Sequence, residues 1–218
     1  MSGSWPDEPV TPLDGHEWVD LGLPSGTLWA TCNIGANSPE DYGDYFAWGE
    51  TAPKLEYNWD TYKWSYYDQE TSFLCFSKYN TGDYQGTVDG KTELDPDDDA
   101  AYVNWGHQWR MPNRAQQVEL REYCTWQCIQ RNGVYGQLVT GPNGNTMFLP
   151  FTGEGEYSDG LHNGKGSDGD YWSRTRNLTY SNHACCQYID YYGSFGWNID
   201  YFLRYRGFAV RAVRVSQN

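Results

Sequence analysis

Residues 17–30 read Glu17-Trp18-Val19-Asp20-Leu21-Gly22-Leu23-Pro24-Ser25-Gly26-Thr27-Leu28-Trp29-Ala30, and this stretch decides the class of fold. Trp18, Leu21 and Leu23 alternate with polar residues, which predicts a short strand closed by the Pro-Ser-Gly turn. A second strand is expected over 28–35, and Tyr45-Phe46-Ala47-Trp48-Gly49 makes a third apolar patch. Each of these pieces is short and carries a tryptophan.

The same bias runs through the chain. Leu, Ile, Val and Phe number only 35 of 218 residues and the net charge is −14, a pairing usually seen in chains that do not fold. Here 11 Trp and 19 Tyr carry the apolar load, each ring burying ~150–250 Å². The 24 Gly and 10 Pro predict many turns and little long helix. The length suits one large domain over 16–218, with a Pro-rich, acidic leader or linker over 1–15. No run of ~18 apolar residues predicts a membrane span. Met1-Ser2-Gly3-Ser4 has neither the basic nor the apolar region of a signal peptide, so no export signal is expected in this chain. A pI near 4.5 argues against nucleic acid or anionic lipid as partners.

Residues 50–95 are polar and Tyr-rich without a period, and predict an irregular excursion whose aromatics pack on the domain. Asp95-Pro96-Asp97-Asp98-Asp99 stands before Ala100-Ala101. Acids in that place start a short helix by opposing its dipole, and the spacing is not that of a calcium loop. Asn113, with Gln116 three residues on, predicts a capping box and a helix running toward Ile129, ended by Asn132-Gly133. Cys124 and Cys128 then fall i, i+4 on that helix. Gly141-Pro142-Asn143-Gly144-Asn145 predicts a hairpin turn between 137–140 and 146–150. Strands follow at Tyr171-Trp172-Ser173, at 184–190 and over 207–215, the last with Phe208 and Val210 on one face. The fold class is therefore α+β, with short strands, one clear helix, one short helix and long loops. The six cysteines show no metal-ligand spacing and read as isolated thiols. No metal or other cofactor is expected.

Residues 17–30, Tyr45-Phe46-Ala47-Trp48-Gly49-Glu50, Asp98-Asp99-Ala100-Ala101, Trp109-Arg110-Met111-Pro112, Tyr171-Trp172-Ser173 and Gly207-Phe208-Ala209-Val210-Arg211 together resemble the Fibrobacter succinogenes major paralogous domain of gut bacteria. That family is similar to the C-type lectin fold. The resemblance runs over most of residues 16–215. It implies burial of Trp29, Trp48, Trp109, Trp172 and Phe208, and neighbouring N- and C-terminal strands. Some proteins of this fold are variable proteins of diversity-generating retroelements, whose codons near the C-terminus are rewritten at adenines. The resemblance thus implies a non-enzymatic scaffold, at the cell surface, secreted or displayed on phage, presenting a hypervariable face to a protein or other macromolecular ligand.

The composition offers its own test. Lys, Glu and Met total 19 in residues 1–170 and are absent from residues 171–218. Charge changes from −18 over 1–170 to +4 over 171–218. Adenine substitution in Asn codons reaches Tyr, Asp, Ser, His, Cys, Phe, Gly, Ile, Leu and Arg, but not Lys, Glu, Gln, Met or Trp. Residues 174–206 are built largely from the reachable set, with Gln187 and Trp197 as exceptions that must be fixed. Strand alternation turns Gln187 and Ile189 inward and Cys186, Tyr188 and Asp190 outward. Tyr191, Tyr192, Phe195, Tyr201, Phe202, Tyr205 and Arg206 have the chemistry of a paratope, rigid area with polar tips. With Tyr180, His183, Asn198 and Asp200 they make the expected ligand-binding set, as one contiguous exposed surface.

Two other activities of the lectin-like fold do not match these residues. Formylglycine-generating oxidases share the lectin-like fold and use a reactive cysteine pair, but the vicinal Cys185 and Cys186 do not map onto it. Calcium-dependent sugar binding in lectins of this fold uses Glu-Pro-Asn or Trp-Asn-Asp, and Trp197-Asn198-Ile199-Asp200 is only a near miss. A fixed adhesion module, binding glycan through exposed aromatics, is the runner-up.

Overall fold

The opening stretch folds as expected, though in shorter pieces. In the computed structural model, which describes residues 15–155, 162–191 and 200–215, β1 (Trp18–Asp20) pairs antiparallel with β2 (Thr27–Ala30), and β2 pairs on its other edge with the last strand of the chain. The turn after β1 sits against the 141–145 hairpin turn. Asn143 and Asn145 both donate to the Asp20 carbonyl, at 2.9 and 2.8 Å. A Cβ on Gly141 would lie 2.1 Å from the Leu21 carbonyl oxygen, so only glycine admits this approach.

The excursion over 50–95 contains β3 (Ser65–Tyr67), β4 (Leu74–Phe76) and β5 (Gln85–Gly86), joined into one small sheet. Its aromatics do pack inward. Tyr57, Tyr62 and Phe76 form a cluster with Tyr45, Ala47 and Tyr205. A 3₁₀ turn at Pro96–Asp98 leads into α1 (Ala100–Trp105). The acids before α1 have assigned work. Asp99 caps the helix by accepting from the N–H groups of Ala101 and Tyr102, and Asp98 accepts from Lys63, Lys78 and the Tyr79 hydroxyl.

Helix α2 (Arg114–Tyr123) opens on the expected capping box: Gln116 N–H donates to Asn113 Oδ1 and Asn113 N–H to Gln116 Oε1. It stops earlier than predicted. Cys124 is already extended, and β6 (Thr125–Arg131) follows at once. Asn132 and Gly133 both adopt positive φ, 49° and 85°. They form a two-residue turn joining β6 to β7 (Val134–Thr140) with Arg131 facing Val134. The dipeptide is thus a hairpin turn, which favours φ > 0 at both positions, and not the end of a helix. Cys128 accordingly lies on a strand. The β7–β8 hairpin (β8, Thr146–Pro150) is as expected.

The remaining strands are β9 (Glu154–Gly155), β10 (His162–Asn163), β11 (Asp168–Arg176), β12 (His183–Asp190), β13 (Asp200–Leu203) and β14 (Val213–Val215). β11, β12 and β13 form one antiparallel sheet in that order, and β14 closes on β2. The fold is mixed α+β, mostly short strands with two α-helices among the described residues. Residues 1–14 of the expected leader or linker and the expected site positions Tyr192, Phe195 and Asn198 lie outside the described residues.

The run from Phe208 to Val213 threads between two cores by strict alternation. Phe208, Val210 and Ala212 join Trp48, Trp109 and Trp172; Ala209 and Val213 join Trp29, Leu120, Tyr171 and Ile189. Each of the five residues Trp29, Trp48, Trp109, Trp172 and Phe208 is at most 2 % exposed. Trp48 Nε1 donates to the Ser173 carbonyl and Trp172 Nε1 to the Phe46 carbonyl, both at 2.8 Å, which supplies the partner a buried indole needs.

Replacing Asn113 by Ala removes the acceptor for Gln116 N–H and is expected to cost about 1 kcal/mol. Urea denaturation should show it as a lower midpoint with unchanged slope; an unaltered midpoint counts against the cap.

Candidate functional site

The register of the β11–β12–β13 sheet sorts the expected site residues by side. Trp172 faces Cys186, Ala184 faces Phe202 and Asp170 faces Tyr188, so these six share one side of the sheet. Tyr171 faces Gln187, Gly169 faces Ile189, Cys185 faces Tyr201 and His183 faces Leu203, on the other. Both sides are covered along the middle of β12. Ala184 and Cys186 enter the Trp48–Trp172–Phe208 core. Gln187 and Ile189 lie inward, as expected, with Ile189 packed near Leu120 of α2.

Two expectations are corrected here. Cys186 does point to the same side as Tyr188, but it is fully buried, because Trp172 and Phe208 close that side over it. Tyr205 is also buried, its ring 4.7 Å from that of Trp59 in the cluster formed by the 50–95 excursion. The adjacent thiols of Cys185 and Cys186 face opposite sides of β12 and bond separately, to the Arg176 carbonyl and to Asp170 Oδ1. Burial pushes the Cys185 thiol up to about 11, away from the thiolate form that reacts.

What reaches the surface lies at the ends of the sheet. Tyr180 and Tyr201 are half exposed, and His183 stands between them, its ring centroid 6.0 Å from Tyr180 and 5.7 Å from Tyr201. Burial lowers the His183 pKa from its ordinary value near 6.5, which keeps this aromatic patch uncharged at neutral pH. Exposed Leu178 lies two residues from Tyr180.

At the opposite end of β12, and on the other side of the sheet, stand Tyr188 and Asp190, both half-buried, with Asp190 facing Asp168. Half-buried Phe202 shares that side and lies 5.3 Å from the Arg206 guanidinium, which pairs with Glu154. Exposed Tyr191 leans on Tyr135, 5.5 Å between centroids. Asp200 contributes backbone to β13 opposite Cys186. Among the described members, Tyr180 and Tyr201 thus gather around His183 on one side of the sheet, and Tyr188, Asp190, Phe202 and Arg206 lie on the other.

The sequence reading passed over Asp170 and Glu154. Asp170 is 3 % exposed and accepts from Cys186 Sγ. Burial first, and then Glu154, push its carboxyl well above the usual range. The readable signal was Asp168-Gly169-Asp170 directly before the Tyr171 strand, since i, i+2 acids share a strand face.

Also unforeseen is a polar framework inside 174–206. Arg204 is wholly buried and donates to the Tyr62 hydroxyl at 2.8 Å and to the carbonyls of Ser181 at 2.7 Å, Lys78 at 3.1 Å and Tyr79 at 3.2 Å. Its guanidinium lies 4.6 Å from the Phe76 ring and 5.1 Å from that of Trp48. Arg176 donates to Ser181 Oγ and Thr81 Oγ1, and Asp83 receives Ser181 N–H. These contacts pin the C-terminal segment to the 50–95 excursion.

A separate cavity of about 360 Å³ lies among His16, Glu17, Thr31, Cys32, Asn37 and Trp105, and shares no residue with the expected site. Among the described residues no helix is long and apolar enough to cross a membrane. No family model, curated protein or solved structure matches the chain.

Two substitutions test this geometry. Arg204→Met strips donors from four acceptors in a closed core and should destabilise by about 3 kcal/mol or more; a loss under about 1 kcal/mol in chemical denaturation contradicts the framework. Asp170 carries a raised folded pKa, so the folded state holds a proton that the unfolded chain releases near pH ~4. Its contribution is full below that pH and is lost as pH rises through the folded value. Asp170→Asn should therefore raise Tm at about pH 8 and do so progressively less toward about pH 5. A gap that does not change with pH contradicts the assignment.

Proposed function

We propose that this chain is a non-enzymatic ligand-binding protein, a C-type-lectin-like scaffold whose C-terminal segment is diversified by a retroelement to contact a protein or other macromolecular ligand. One observation carries the reading. The segment that lacks Lys, Glu and Met is also the one in which exposed Tyr and Leu and half-buried His, Asp and Arg side chains alternate with a buried framework that holds them. Gln187, which adenine substitution in Asn codons does not produce, belongs to the buried framework and not to the exposed set. The exposed members offer wide rings with polar tips, the economy of a binding loop set. Display at the cell surface, secretion or presentation on phage follows from that role.

A second reading has one observation in its favour. The uncharged Tyr180–His183–Tyr201 patch suits stacking on a sugar ring, as in a fixed adhesion or glycan-binding module.

Sequencing of the 174–206 coding region across related isolates separates the two. The diversified scaffold requires a near-identical template copy beside a reverse transcriptase, with differences confined to adenines. The altered codons should fall on exposed or half-exposed positions such as 178, 180, 183, 188, 190, 191, 201 and 206, and spare Arg176, Ser181, Gln187 and Arg204. An invariant region without a template copy refutes diversification and favours the fixed module. In the protein itself, replacing Tyr180, Tyr188, Tyr191 and Tyr201 together by Ser should leave stability within ~1–2 kcal/mol. Unfolding of that variant would mean the rings belong to the core.

A further inference from the structure

The cavity of about 360 Å³ beside His16 and Trp105 takes none of its lining from residues 174–206, so its chemistry stands whatever the C-terminal face binds. Its volume lies within the ~300–1,000 Å³ of sites that admit small molecules. His16 and Glu17 enter it from the approach to β1, and Thr31 and Cys32 from the end of β2. Asn37 comes from the loop that follows, and Trp105 from the last turn of α1.

These walls are tied in place. Thr31 N–H donates to the Glu17 carbonyl at 3.1 Å. Asn33 Nδ2 crosses its loop to the Tyr42 carbonyl at 2.9 Å, and Asp41 Oδ2 accepts from the N–H groups of Asn37 and Ser38 at 3.1 and 3.0 Å. The Trp105 ring is stacked on His16, 3.9 Å between centroids and 13° between planes. It also meets the Trp109 ring edge-on at 5.2 Å. A site held in this way loses little freedom when a ligand enters.

The ligand's chemistry follows from what the lining leaves free. Among the described residues Glu17 bonds only through its carbonyl, and its carboxylate makes no hydrogen bond or ion pair. Asn37 bonds only through its backbone N–H, which leaves its amide free. Thr31 Oγ1 is turned to the Glu17 carbonyl at 3.5 Å and to Cys32 Sγ at 3.7 Å. No Lys or Arg lines the cavity, and the chain as a whole carries −14. An anion would meet the Glu17 carboxylate with no ammonium or guanidinium to offset it. An organic cation gains a charge-assisted hydrogen bond from that carboxylate, another acceptor in the Asn37 amide oxygen, and the Trp105 ring as a wall.

We propose that this cavity is a binding site for a small organic cation, a primary ammonium or guanidinium on a short apolar body, with Glu17 as its counter-ion. The site is independent of the proposed C-terminal face and of whether that face is diversified.

The test uses the whole chain in low-salt buffer near neutral pH, with benzylammonium as the probe. Benzyl alcohol, benzoate and methyl glucoside serve as neutral, anionic and sugar controls. Benzylammonium should shift the amide signals of residues 16–17 and 31–37 and the Trp105 indole along one saturable curve. It should also slow alkylation of Cys32 by iodoacetamide and leave that of Cys128 unchanged, since both thiols are half-buried but Cys128 packs in the other core. Glu17→Gln keeps the shape and removes the charge. It should weaken benzylammonium about tenfold, the worth of one charge-assisted hydrogen bond. If Glu17→Gln does not fold, added salt on the wild type makes the same comparison and should weaken binding. The proposal is overturned if any control binds there as tightly as benzylammonium, if Glu17→Gln binds it unchanged, if salt has no effect, or if millimolar benzylammonium shifts none of these signals.

Discussion

Two indole–carbonyl bonds hold the chain together across its length. Trp48 donates to the backbone of β11, and Trp172, on β11, donates back to the backbone beside Trp48. The 45–49 segment forms no regular strand; its backbone is tied by the Phe46–Phe208 bridge and by Trp48 N–H donating to the Arg204 carbonyl. The two indole bonds add to these in a closed core where an unmade bond is costly. Phe208 packs on Trp172, 4.3 Å between centroids, so the C-terminal run is set by the same pair.

From that lock follows the double burial of the C-terminal sheet. One side of β12 closes on the tryptophan core and the other on α2 and Tyr171. An edge sheet in water would show alternate residues to solvent; a sheet covered on both sides does not. Its chemistry is pushed to the ends of the strands and to the turns beyond them. The aromatic patch around His183 and the charged patch around Arg206 and Glu154 are what that burial leaves outside.

Polar groups do much of the packing. Arg176, Arg204 and Arg211 are each no more than 1 % exposed, and Arg204 and Arg211 donate to carbonyls, a hydroxyl and an amide oxygen. Few aliphatic residues are available to fill the interior, so buried guanidinium groups take their place, that of Arg204 lying over the Phe76 and Trp48 rings. This is the part of the structure that a hydrophobicity pattern misreads, because it counts an arginine as surface.

The one-dimensional pattern by itself determined local features. The Asn113–Gln116 capping box, the Asp99 start of α1, the 141–145 hairpin turn and the α+β class depend on neighbours in sequence. The helix predicted to run past Cys124 failed where two local signals competed: Asn132-Gly133 suits a helix end and a hairpin turn alike, and only pairing with β7 chose between them. Tertiary structure alone decided the fate of Cys186 and Tyr205, which alternation or aromaticity marks as surface and which packing buries. It alone placed Asp170 beside Glu154 and Arg204 beneath Tyr62. The physical reason is that periodicity tells which residues share a side of a strand, whereas exposure depends on what the rest of the chain lays over that side.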